Sequence, residues 1–325
     1  MEKKILTLVI PSYNISRYVD ECIDSYIDKS LFPFINVVFI DDGATDDTLQ
    51  KLKPYLEMYP DYFSFFHKEN GGHGSVINFA LDKCIKTKYF KVIDGDDWVI
   101  TANLYELAIF LSESDYDVVL SDYILSDTKN NKLFKTLRGK SGPFSLENNL
   151  NMQFSIHSLT FKTAVFVLNK IHLPEKVFYE DNIYSTVPFK YAKSFYYIDK
   201  PVYVYRINNS DQSISISSMI RHFKDLVTVT DLLFEEYNTL HSNVFLKVLQ
   251  NKLTSCLRQQ FLLLLQKNQT KKDFKKSAFN FREKYFRNNK QLERELKKNC
   301  RAYKYSCFFH FNFHSLFKKI CLKRF

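Results

Sequence analysis

The sequence predicts an α/β protein whose mostly parallel central sheet is flanked by helices and followed by a helical C-terminal extension. Two short runs, at 5–10 and 37–40, are almost entirely apolar, as expected of strands that are buried on both faces. Segments with helical periodicity separate such runs through the first hundred residues. Beyond Ser217 only the helical period continues. Alternating strands and helices form a parallel sheet covered by helices, which gives this fold class.

The predicted elements follow one another at regular spacing. In chain order they are a strand at 5–10, a helix at 16–27, a strand at 37–40, a helix at 46–59, a strand at 63–66, a helix at 74–86, a strand at 89–93, a helix at 101–114 and a strand at 118–123. Pro54 lies inside the second helix, and a proline there shortens or kinks a helix. Residues 124–152 are polar and contain two glycines and a proline, which predicts an exposed loop.

Length and composition exclude several classes of protein. The chain has 325 residues, enough for about two domains, and 45% of them are hydrophobic, which excludes wholesale disorder. No apolar run reaches the ~18 residues that span a bilayer, and the first residues lack the pattern of a signal peptide. The six cysteines form no C-x-x-C pair. We therefore expect reduced thiols in a cytoplasmic protein.

Charge is distributed unevenly along the chain. Residues 216–325 contain 23 Lys and Arg against 8 Asp and Glu, a net charge of +15. The remaining residues contain 23 basic and 28 acidic side chains, a net charge of −5. A basic segment of this kind favours an anionic partner, such as a membrane surface, a nucleic acid or an acidic polymer. The alternative is a lysine-rich helical surface that faces only solvent.

Polar motifs follow three of the predicted strands, at 11–14, 41–43 and 94–97. Because the carboxyl ends of parallel strands meet at one edge of a sheet, these motifs are predicted to lie together where ligands bind. Five of the seven glycines also lie in or between these motifs. They are Gly43, Gly71, Gly72, Gly74 and Gly95. Each of them alone is explained by an ordinary turn, but together they favour a binding site.

The acidic motif at 94–97 indicates a divalent cation. Its three carboxylates, on Asp94, Asp96 and Asp97, repel one another unless donors or a cation stabilise them. Oxygen ligands suit Mg²⁺ or Mn²⁺, which bind nucleotide diphosphates in such sites. The chain has neither of the two common glycine-rich phosphate loops, G-x-x-x-x-G-K-[ST] and G-x-G-x-x-G. A metal ion would then supply the charge compensation, whereas the alternative is a solvated acidic turn.

These motifs, taken in order, resemble those of family 2 glycosyltransferases with the GT-A fold. The resemblance rests on VIPSYN at 9–14, FIDDGATD at 39–46, NGGHG at 70–74 with Asn78, IDGDD at 93–97, FYED at 178–181 and YVYR at 203–206 followed by Ser213. It covers residues 3–215, and the last 110 residues lie outside it. It implies a nucleotide-sugar-binding half at 1–100 and an acceptor-binding half at 101–215, with a basic helical region at 216–325.

The resemblance also implies roles for individual residues. On the donor side, contacts with the uracil and ribose of a UDP-sugar fall to Pro11, Tyr13, Asp42 and Asp94. Asp96, with Asp94, would bind Mn²⁺ or Mg²⁺, and Arg206 is a candidate phosphate contact because Val76 and Ile77 replace the family's usual basic residue. Asp181 matches the general base, and Glu180 would bind the acceptor or orient its neighbour. Neither His73 nor His157 is assigned a role, because a lone histidine is more often structural.

The implied activity is inverting transfer of a sugar from a UDP-sugar to a saccharide acceptor, in the assembly of bacterial surface polysaccharide. Two alternatives stay open, a sugar-nucleotide or nucleotidyl transferase and a non-catalytic protein that binds through its basic tail. Residues 300–325 combine basic residues with phenylalanines, which suits peripheral binding to the inner, anionic face of the cell membrane. There the acceptor would be lipid-linked. The C-terminal helices could instead form an oligomer interface, and the absence of a nucleic-acid motif argues against a nucleic-acid partner.

Overall fold

The computed structural model describes residues 4–127, 132–135, 139–149, 154–207, 216–240, 244–267 and 269–312, the second of these ranges as backbone alone. The chain divides into two compact units. The first comprises Met1–Asn149 and Phe154–Gln212, and the second comprises Leu150–Gln153 and Ser213–Phe325. Of the predicted tail, Phe313, Phe317 and Phe325 lie outside the described residues, as does Ser213.

A ten-stranded sheet forms the first unit, which we call the sheet unit. Its strands are β1 (Leu6–Ser12), β2 (Ile35–Asp41), β3 (Phe63–His67), β4 (Tyr89–Val92), β5 (Trp98–Val99), β6 (Val118–Asp127), β7 (Lys132–Lys135), β8 (Gly142–Phe144), β9 (Leu159–Lys162) and β10 (Phe195–Ile207). The order across the sheet is β3-β2-β1-β4-β9-β6-β10-β5, with β7 beside β6 and β8 beside β10. The predicted α/β fold class is confirmed.

The first four strands across the sheet run parallel to one another. In β1, Leu8 pairs with Val37 of β2 on one side and with Lys91 of β4 on the other. Leu8 and Val37 are fully buried, as their continuous apolar runs predict for central strands covered on both faces. Next to β4 the antiparallel strand β9 follows, and β6 and β10 then run parallel to each other. The carboxyl ends of β1, β2 and β4 therefore meet at one edge.

Helices cover this sheet and connect its strands. They are α1 (Val19–Asp24), α2 (Thr48–Met58), α3 (His73–Phe79), α4 (Thr101–Glu113), α5 (Thr163–Val167) and α6 (Asp181–Tyr184). Pro54 lies inside α2 without ending it. The single helix predicted at 74–86 is two elements instead, because α3 passes into a π-helical turn at Ala80–Cys84. The buried side chains of Val76, Ile77 and Ala80 face the core, as expected from the helical period.

The polar segment 124–152, predicted to contain an exposed loop, also contains strands that the sequence did not predict. Strand β6 continues to Asp127, and the short strands β7 and β8 lie within the segment. Strand β7 pairs antiparallel with β6, and β8 pairs antiparallel with β10. Each of these short strands forms its backbone hydrogen bonds with a longer strand, β7 with β6 and β8 with β10. A polar composition at an edge gives no signal of that pairing.

Six helices form the described part of the second unit, which we call the helical unit. They are α7 (Ile216–Arg221), α8 (Phe223–Thr239), α9 (Val244–Gln266), α10 (Lys271–Phe286), α11 (Lys290–Asn299) and α12 (Arg301–Phe308). Phe261 of α9 lies at the centre of an aromatic cluster, with ring centroids 5.7 Å from Phe281 and 4.9 Å from Tyr303. Among the described residues, none of the helices combines the length and apolarity needed to cross a membrane.

Two aromatic residues of α12 should differ sharply in their effect on stability. Tyr303 is fully buried, so Tyr303→Ala should lower the free energy of unfolding of the helical unit by about 3 kcal/mol or more. Phe308 is 73% exposed, and Phe308→Ala should change it by about 0.5 kcal/mol or less. Urea unfolding followed by circular dichroism would compare the two. Equal losses would contradict the packing of α12 described here.

Candidate active site

The ends of β1 and β2 form one side of the site. The carboxylate of Asp42, which is buried, accepts hydrogen bonds from the backbone N–H groups of Gly71 (2.9 Å) and Gly72 (2.8 Å). Lys68 Nζ lies 2.7 Å from the same carboxylate and neutralises it. Gly72 has a φ of +82°, which glycine adopts at little cost. The glycine-rich stretch thus uses two of its N–H groups to fix the residue that follows β2.

The acidic turn, residues 94–97, packs directly against the end of β1. A side chain at Gly95 would place its Cβ 2.7 Å from the carbonyl oxygen of Pro11 and 2.7 Å from Ile15. Only glycine permits this approach, which explains why it separates the aspartates. Tyr13 follows β1 and is 51% exposed. The motifs after β1 and β4, predicted to meet at one edge of the sheet, are therefore in contact.

Tyr203 of β10 holds two of the aspartates in place. Its hydroxyl lies 2.6 Å from Asp97 Oδ2 and 3.1 Å from Asp94 Oδ2. The backbone N–H of Arg206 donates to the other oxygen of Asp97 at 2.8 Å. Burial raises the pKa of Asp97 well above its usual value, and repulsion from Asp94 and Asp96 adds to the rise. Asp97 therefore serves as a buried anchor between the acidic turn and β10.

His73, at the start of α3, connects the acidic turn to the Glu-Asp segment, residues 178–181. Its Nδ1 lies 2.7 Å from Glu180 Oε1, and its Nε2 lies 3.1 Å from Asp94 Oδ1. Burial alone would lower the pKa of His73, but the hydrogen bonds and charges of Asp94 and Glu180 outweigh it and raise the pKa well above 6.5. A protonated His73 donates from both ring nitrogens and so bridges the two carboxylates.

Asp94 and Asp96 have opposite electrostatic environments. Burial opposes ionisation of Asp94, but the hydrogen bond and charge of His73, with help from His157 and Tyr203, lower its pKa to about 2. Burial and repulsion from Asp94 raise the pKa of Asp96 to about 6. Asp96 accepts no hydrogen bond from the side chain of another described residue. Its partly exposed carboxylate therefore has coordination capacity to spare.

The Glu-Asp segment is held by contacts on either side. Glu180 is buried against His73, and Asp181 begins the short helix α6 with its side chain partly exposed. Tyr179, just before them, has a φ of +72°, a costly conformation that clusters at functional sites. A Cβ at Gly74 would lie 2.4 Å from the carbonyl oxygen of Pro174. The chain leading to Glu180 therefore lies directly against α3.

Asn78 of α3 holds the chain that leads to the Glu-Asp segment through a second contact. Its side chain accepts from the backbone N–H of Leu173 at 2.9 Å and donates to the carbonyl oxygen of Leu173 at 2.9 Å. The amide of Asn78 thus satisfies both backbone hydrogen-bonding groups of Leu173, which a neighbouring strand would satisfy in a sheet. Asn78, predicted from the motif alone, positions the backbone that precedes the Glu-Asp segment.

The Glu-Asp segment reaches the acidic turn through His73. Because His73 contacts both Asp94 and Glu180, the neighbour of Asp181, the two segments lie at the same edge of the sheet although they are far apart in sequence. Burial is the largest cause that raises the pKa of Tyr205 in β10, and the charges of Asp97, Asp94, Asp96 and Asp181 add to it.

Arg206 borders the acidic turn as a structural anchor. Its guanidinium lies 4.6 Å from the ring centroid of Trp98 and 4.9 Å from that of Tyr18. Its Nε donates to the carbonyl oxygen of Asp96 at 2.8 Å, and its terminal nitrogen lies 2.6 Å from Glu21. Arg206 is 9% exposed, so these contacts fix its position. Trp98, which follows the acidic turn directly, thus packs against Arg206.

His157 and Lys91 are two further groups at this edge that the sequence did not assign. His157 stacks on Tyr205 at 4.2 Å, and burial lowers its pKa to about 4. Lys91 is fully buried in β4, donates to the carbonyl oxygens of His157 (2.7 Å) and Leu159 (3.2 Å), and has its pKa lowered to about 7 by burial. A lysine inside an apolar strand is a signal that sequence reasoning could have used.

One group of potential metal ligands lies within the described residues. Ligand atoms of Asp94, Asp97 and His157 lie within 4.8 Å of one another. Both oxygens of Asp97 already accept hydrogen bonds, from Tyr203 and from the backbone of Arg206. The predicted ligand pair, Asp94 and Asp96, includes Asp96 in place of Asp97 and His157. Asp96 is the carboxylate without a side-chain donor among the described residues. Oxygen atoms of both sets suit Mg²⁺ or Mn²⁺.

A mixed sheet with an acidic turn after β4 is the architecture of GT-A glycosyltransferases. A model of the family described as Glycosyl transferase family 2 matches residues 7–171, and the chain belongs to this family. The resemblance stated from the motifs is thereby confirmed, and the protein is a glycosyltransferase.

Relatives and solved structures agree with this assignment. An uncharacterised glycosyltransferase of Mycoplasma pneumoniae, the MG025 homolog, is 28% identical over 207 residues, which cover 62% of this chain and 68% of that protein. A teichoic acid poly(glycerol phosphate) polymerase of Staphylococcus epidermidis is 24% identical over 287 residues, 86% of this chain and 37% of that one. A fragment of S. aureus TarS in complex with UDP-GlcNAc has the same fold, with a TM-score of 0.70 and 18% identity over 99% of this chain and 93% of that one.

The pairing of His73 with Glu180 predicts how each affects the other. The hydrogen bonds and charges of Asp94 and Glu180 raise the pKa of His73 well above 6.5 and so favour its protonated form. Glu180→Gln removes one of the charges that favour the cation, so the pKa of His73 should fall. In the wild type, protonated His73 stabilises the folded state through this pairing. That stabilisation is complete below about pH 6.5 and is lost as the pH rises through the raised pKa of His73. NMR titration of the imidazole measures the shift.

The control for this titration is Glu69→Gln, which removes a carboxylate at an exposed position. The pKa of His73 in that variant should equal the wild-type value. An unchanged His73 pKa in Glu180→Gln would show that the two side chains are not paired in solution.

Proposed function

We propose that this glycosyltransferase transfers a sugar from a UDP-sugar to a saccharide acceptor with inversion at the anomeric carbon and with a divalent metal ion. The observation that carries the proposal is the bridge formed by His73, which lies 2.7 Å from Glu180 and 3.1 Å from Asp94. This bridge joins the segment of the base candidate, Asp181, to the acidic turn, and so supports one site for donor and acceptor. An inverting transfer needs this combination, because base and leaving group act on the same carbon in one step.

The donor would bind where β1 and β2 end. Tyr13 offers an exposed ring for a base to stack on, beside Pro11. Asp42, whose carboxylate is fixed by Gly71 and Gly72, would contact the uracil or ribose. The TarS fragment of the same fold was solved with UDP-GlcNAc, which supports a uridine donor here. Asp94 would complete the ribose contacts.

The carboxylates of the acidic turn fit a divalent cation, Mn²⁺ or Mg²⁺. Asp96 would be the principal ligand, since its carboxylate is partly exposed and its raised pKa shows that the anion lacks compensation. Asp94 would be the second ligand, and its pKa of about 2 keeps it ionised. When bound, such an ion would neutralise charge that develops on the departing diphosphate.

Asp181 would act as the general base. Its carboxylate takes the proton from an acceptor hydroxyl while that oxygen attacks C1 of the sugar, and the bond from C1 to the diphosphate oxygen breaks as the new bond forms. UDP leaves with the bonding electrons, and the configuration at C1 inverts. Glu180, already engaged by His73, would fix the backbone of its neighbour in this reaction. The acceptor itself would bind in the half formed by residues 101–215.

One relative and the basic C-terminal region support a proposal for the acceptor and for the place where the enzyme acts. The relative from Staphylococcus epidermidis is a teichoic acid polymerase, which supports a surface polymer or its precursor as the acceptor. Such an acceptor would be lipid-linked, and the enzyme would meet it at the inner face of the cell membrane through residues 300–325. These residues include α12, whose Tyr303 belongs to the core of the helical unit. Membrane binding is therefore best tested by point variants, since deletion from residue 300 would remove this core residue.

UDP binding should require a divalent ion. Isothermal calorimetry should detect UDP binding with Mn²⁺ and little binding in EDTA. Asp96→Asn should weaken the metal-dependent binding at least about tenfold, because it removes a charged ligand. Asp82→Asn, at an exposed position of the π-helical turn, is the matched control and should bind as the wild type does. Full UDP affinity in EDTA would reject the metal requirement.

Asp181→Asn should separate catalysis from donor binding. The amide cannot take a proton, so turnover should fall by about 100-fold or more. Metal-dependent UDP affinity should stay within about twofold of wild type, because the donor side is untouched. UDP release from a UDP-sugar, with an acceptor on which the wild type turns over, measures the first quantity, and calorimetry measures the second. Equal losses of both would remove Asp181 from the role of base.

A further inference from the structure

The helical unit contains an open pocket of about 700 Å³, which we call the basic pocket. Cationic side chains from three helices line it, namely Arg282 of α10, Lys297 of α11 and Lys304 of α12. Aromatic side chains at the end of α12 line the rest, and they are Tyr305, Phe308 and Phe309. The pocket is wholly formed by residues of this unit. It lies outside the machinery proposed for sugar transfer.

A buried carboxylate holds two of these cations in fixed positions. Glu293 is 8% exposed, and its Oε1 lies 2.9 Å from Arg282 Nε and 3.0 Å from Lys297 Nζ. The hydroxyl of Tyr303 lies 3.2 Å from the same oxygen. The two cations are therefore ordered before any ligand arrives, which lowers the entropy lost on binding. Lys304 forms no ion pair with a described residue, so the pocket keeps an excess of positive charge.

The rim of the basic pocket is apolar and exposed. Phe308 is 73% exposed, Tyr305 is 48% exposed and Phe309 is 39% exposed. The backbone just beyond them is strained, with φ of +50° at His310 and +59° at Phe311. Two successive residues in this region of backbone space are costly, and such strain clusters at functional sites. Large exposed rings next to fixed cations match a ligand that has both an anionic and an apolar part.

Charge argues against the end of the chain as the occupant of this pocket. Residues 313–325 contain Lys318, Lys319, Lys323 and Arg324 but no aspartate or glutamate. Such a segment is repelled by a pocket with an excess of cations. An anionic partner is complementary to it, and the sequence carries no nucleic-acid motif. An anionic lipid is the class that satisfies both the cations and the exposed rings.

We propose that the basic pocket binds the phosphate group of an anionic phospholipid, with Phe308 and its aromatic neighbours against the lipid surface. The proposal deepens the membrane association proposed above and rests on it. It assigns that association to a defined site within the described residues. Donor binding in the sheet unit is independent of it.

Co-sedimentation of the full chain with vesicles tests the proposal. Wild type should bind phosphatidylglycerol vesicles and not phosphatidylcholine vesicles. Lys304→Glu should weaken that binding about tenfold or more, because a cation near the surface becomes an anion. Phe308→Ser should weaken it without altering the charge. The matched controls lie on α10, where Lys276→Glu and Phe279→Ser should bind as wild type does, Phe279 being 54% exposed.

Each result supports or overturns the proposal. Loss of binding in both pocket variants but neither control supports it. Equal vesicle binding by all variants overturns the pocket while membrane association stands, and failure of wild type to bind any vesicle overturns both. If only the pocket variants lose binding of glycerol phosphate while vesicle binding is unchanged, the basic pocket is a site for a soluble phosphate and the lipid proposal is overturned. Preferential binding of a single-stranded oligonucleotide there would also overturn it. Unchanged UDP affinity in every variant shows that the donor site is intact.

Discussion

Repulsion among carboxylates at one edge of the sheet is the constraint on which the site depends. Asp42, Asp94, Asp97 and Glu180 are each held by donors within the protein, and Asp96 alone keeps a partly exposed carboxylate without a side-chain donor among the described residues. Close carboxylates raise one another's pKa unless a positive group lies between them. His73 meets this need for two of them, since it lies 2.7 Å from Glu180 and 3.1 Å from Asp94. By this pairing His73 lowers the pKa of Asp94, despite its burial and the nearby carboxylates.

The groups that compensate these charges come from distant parts of the chain, so forming the site and closing the fold are one event. His73 is 107 residues from Glu180, and Tyr203 is 109 residues from Asp94. Contacts between such distant residues carry a large cost in chain entropy until the sheet has assembled. Gly95 and Gly74 remove the steric barrier to these contacts, because a Cβ at either position would collide with a carbonyl oxygen. The two glycines therefore act through the fold, because they allow the segments that carry the site residues to pack closely.

The sequence was sufficient for the parts of the site that local pattern determines. Apolar runs followed by Pro11, Asp41 and Asp94 located the strand ends, and parallel pairing then required the motifs to meet. The link through His73 was not predictable, because it depends on the path of the chain from Leu173 to Glu180, which a single amide on Asn78 fixes. Strands β7 and β8 were missed for a related reason. Their stability comes from long neighbouring strands and leaves no periodicity in their own short, polar sequences.

Charge is separated between the two units, and this separation bears on how an anionic donor could bind. In the proposed function the diphosphate of a UDP-sugar would approach this acidic edge, where three cationic or basic side chains among the described residues are already engaged. Lys68 is paired with Asp42, His73 bridges two carboxylates, and Arg206 is held by Glu21 and the carbonyl oxygen of Asp96. Freeing any of them would leave a buried carboxylate or carbonyl without its partner, which costs about 1–3 kcal/mol. In the proposed mechanism a divalent ion from solution, bound at Asp96, would compensate the charge of the donor without breaking these contacts.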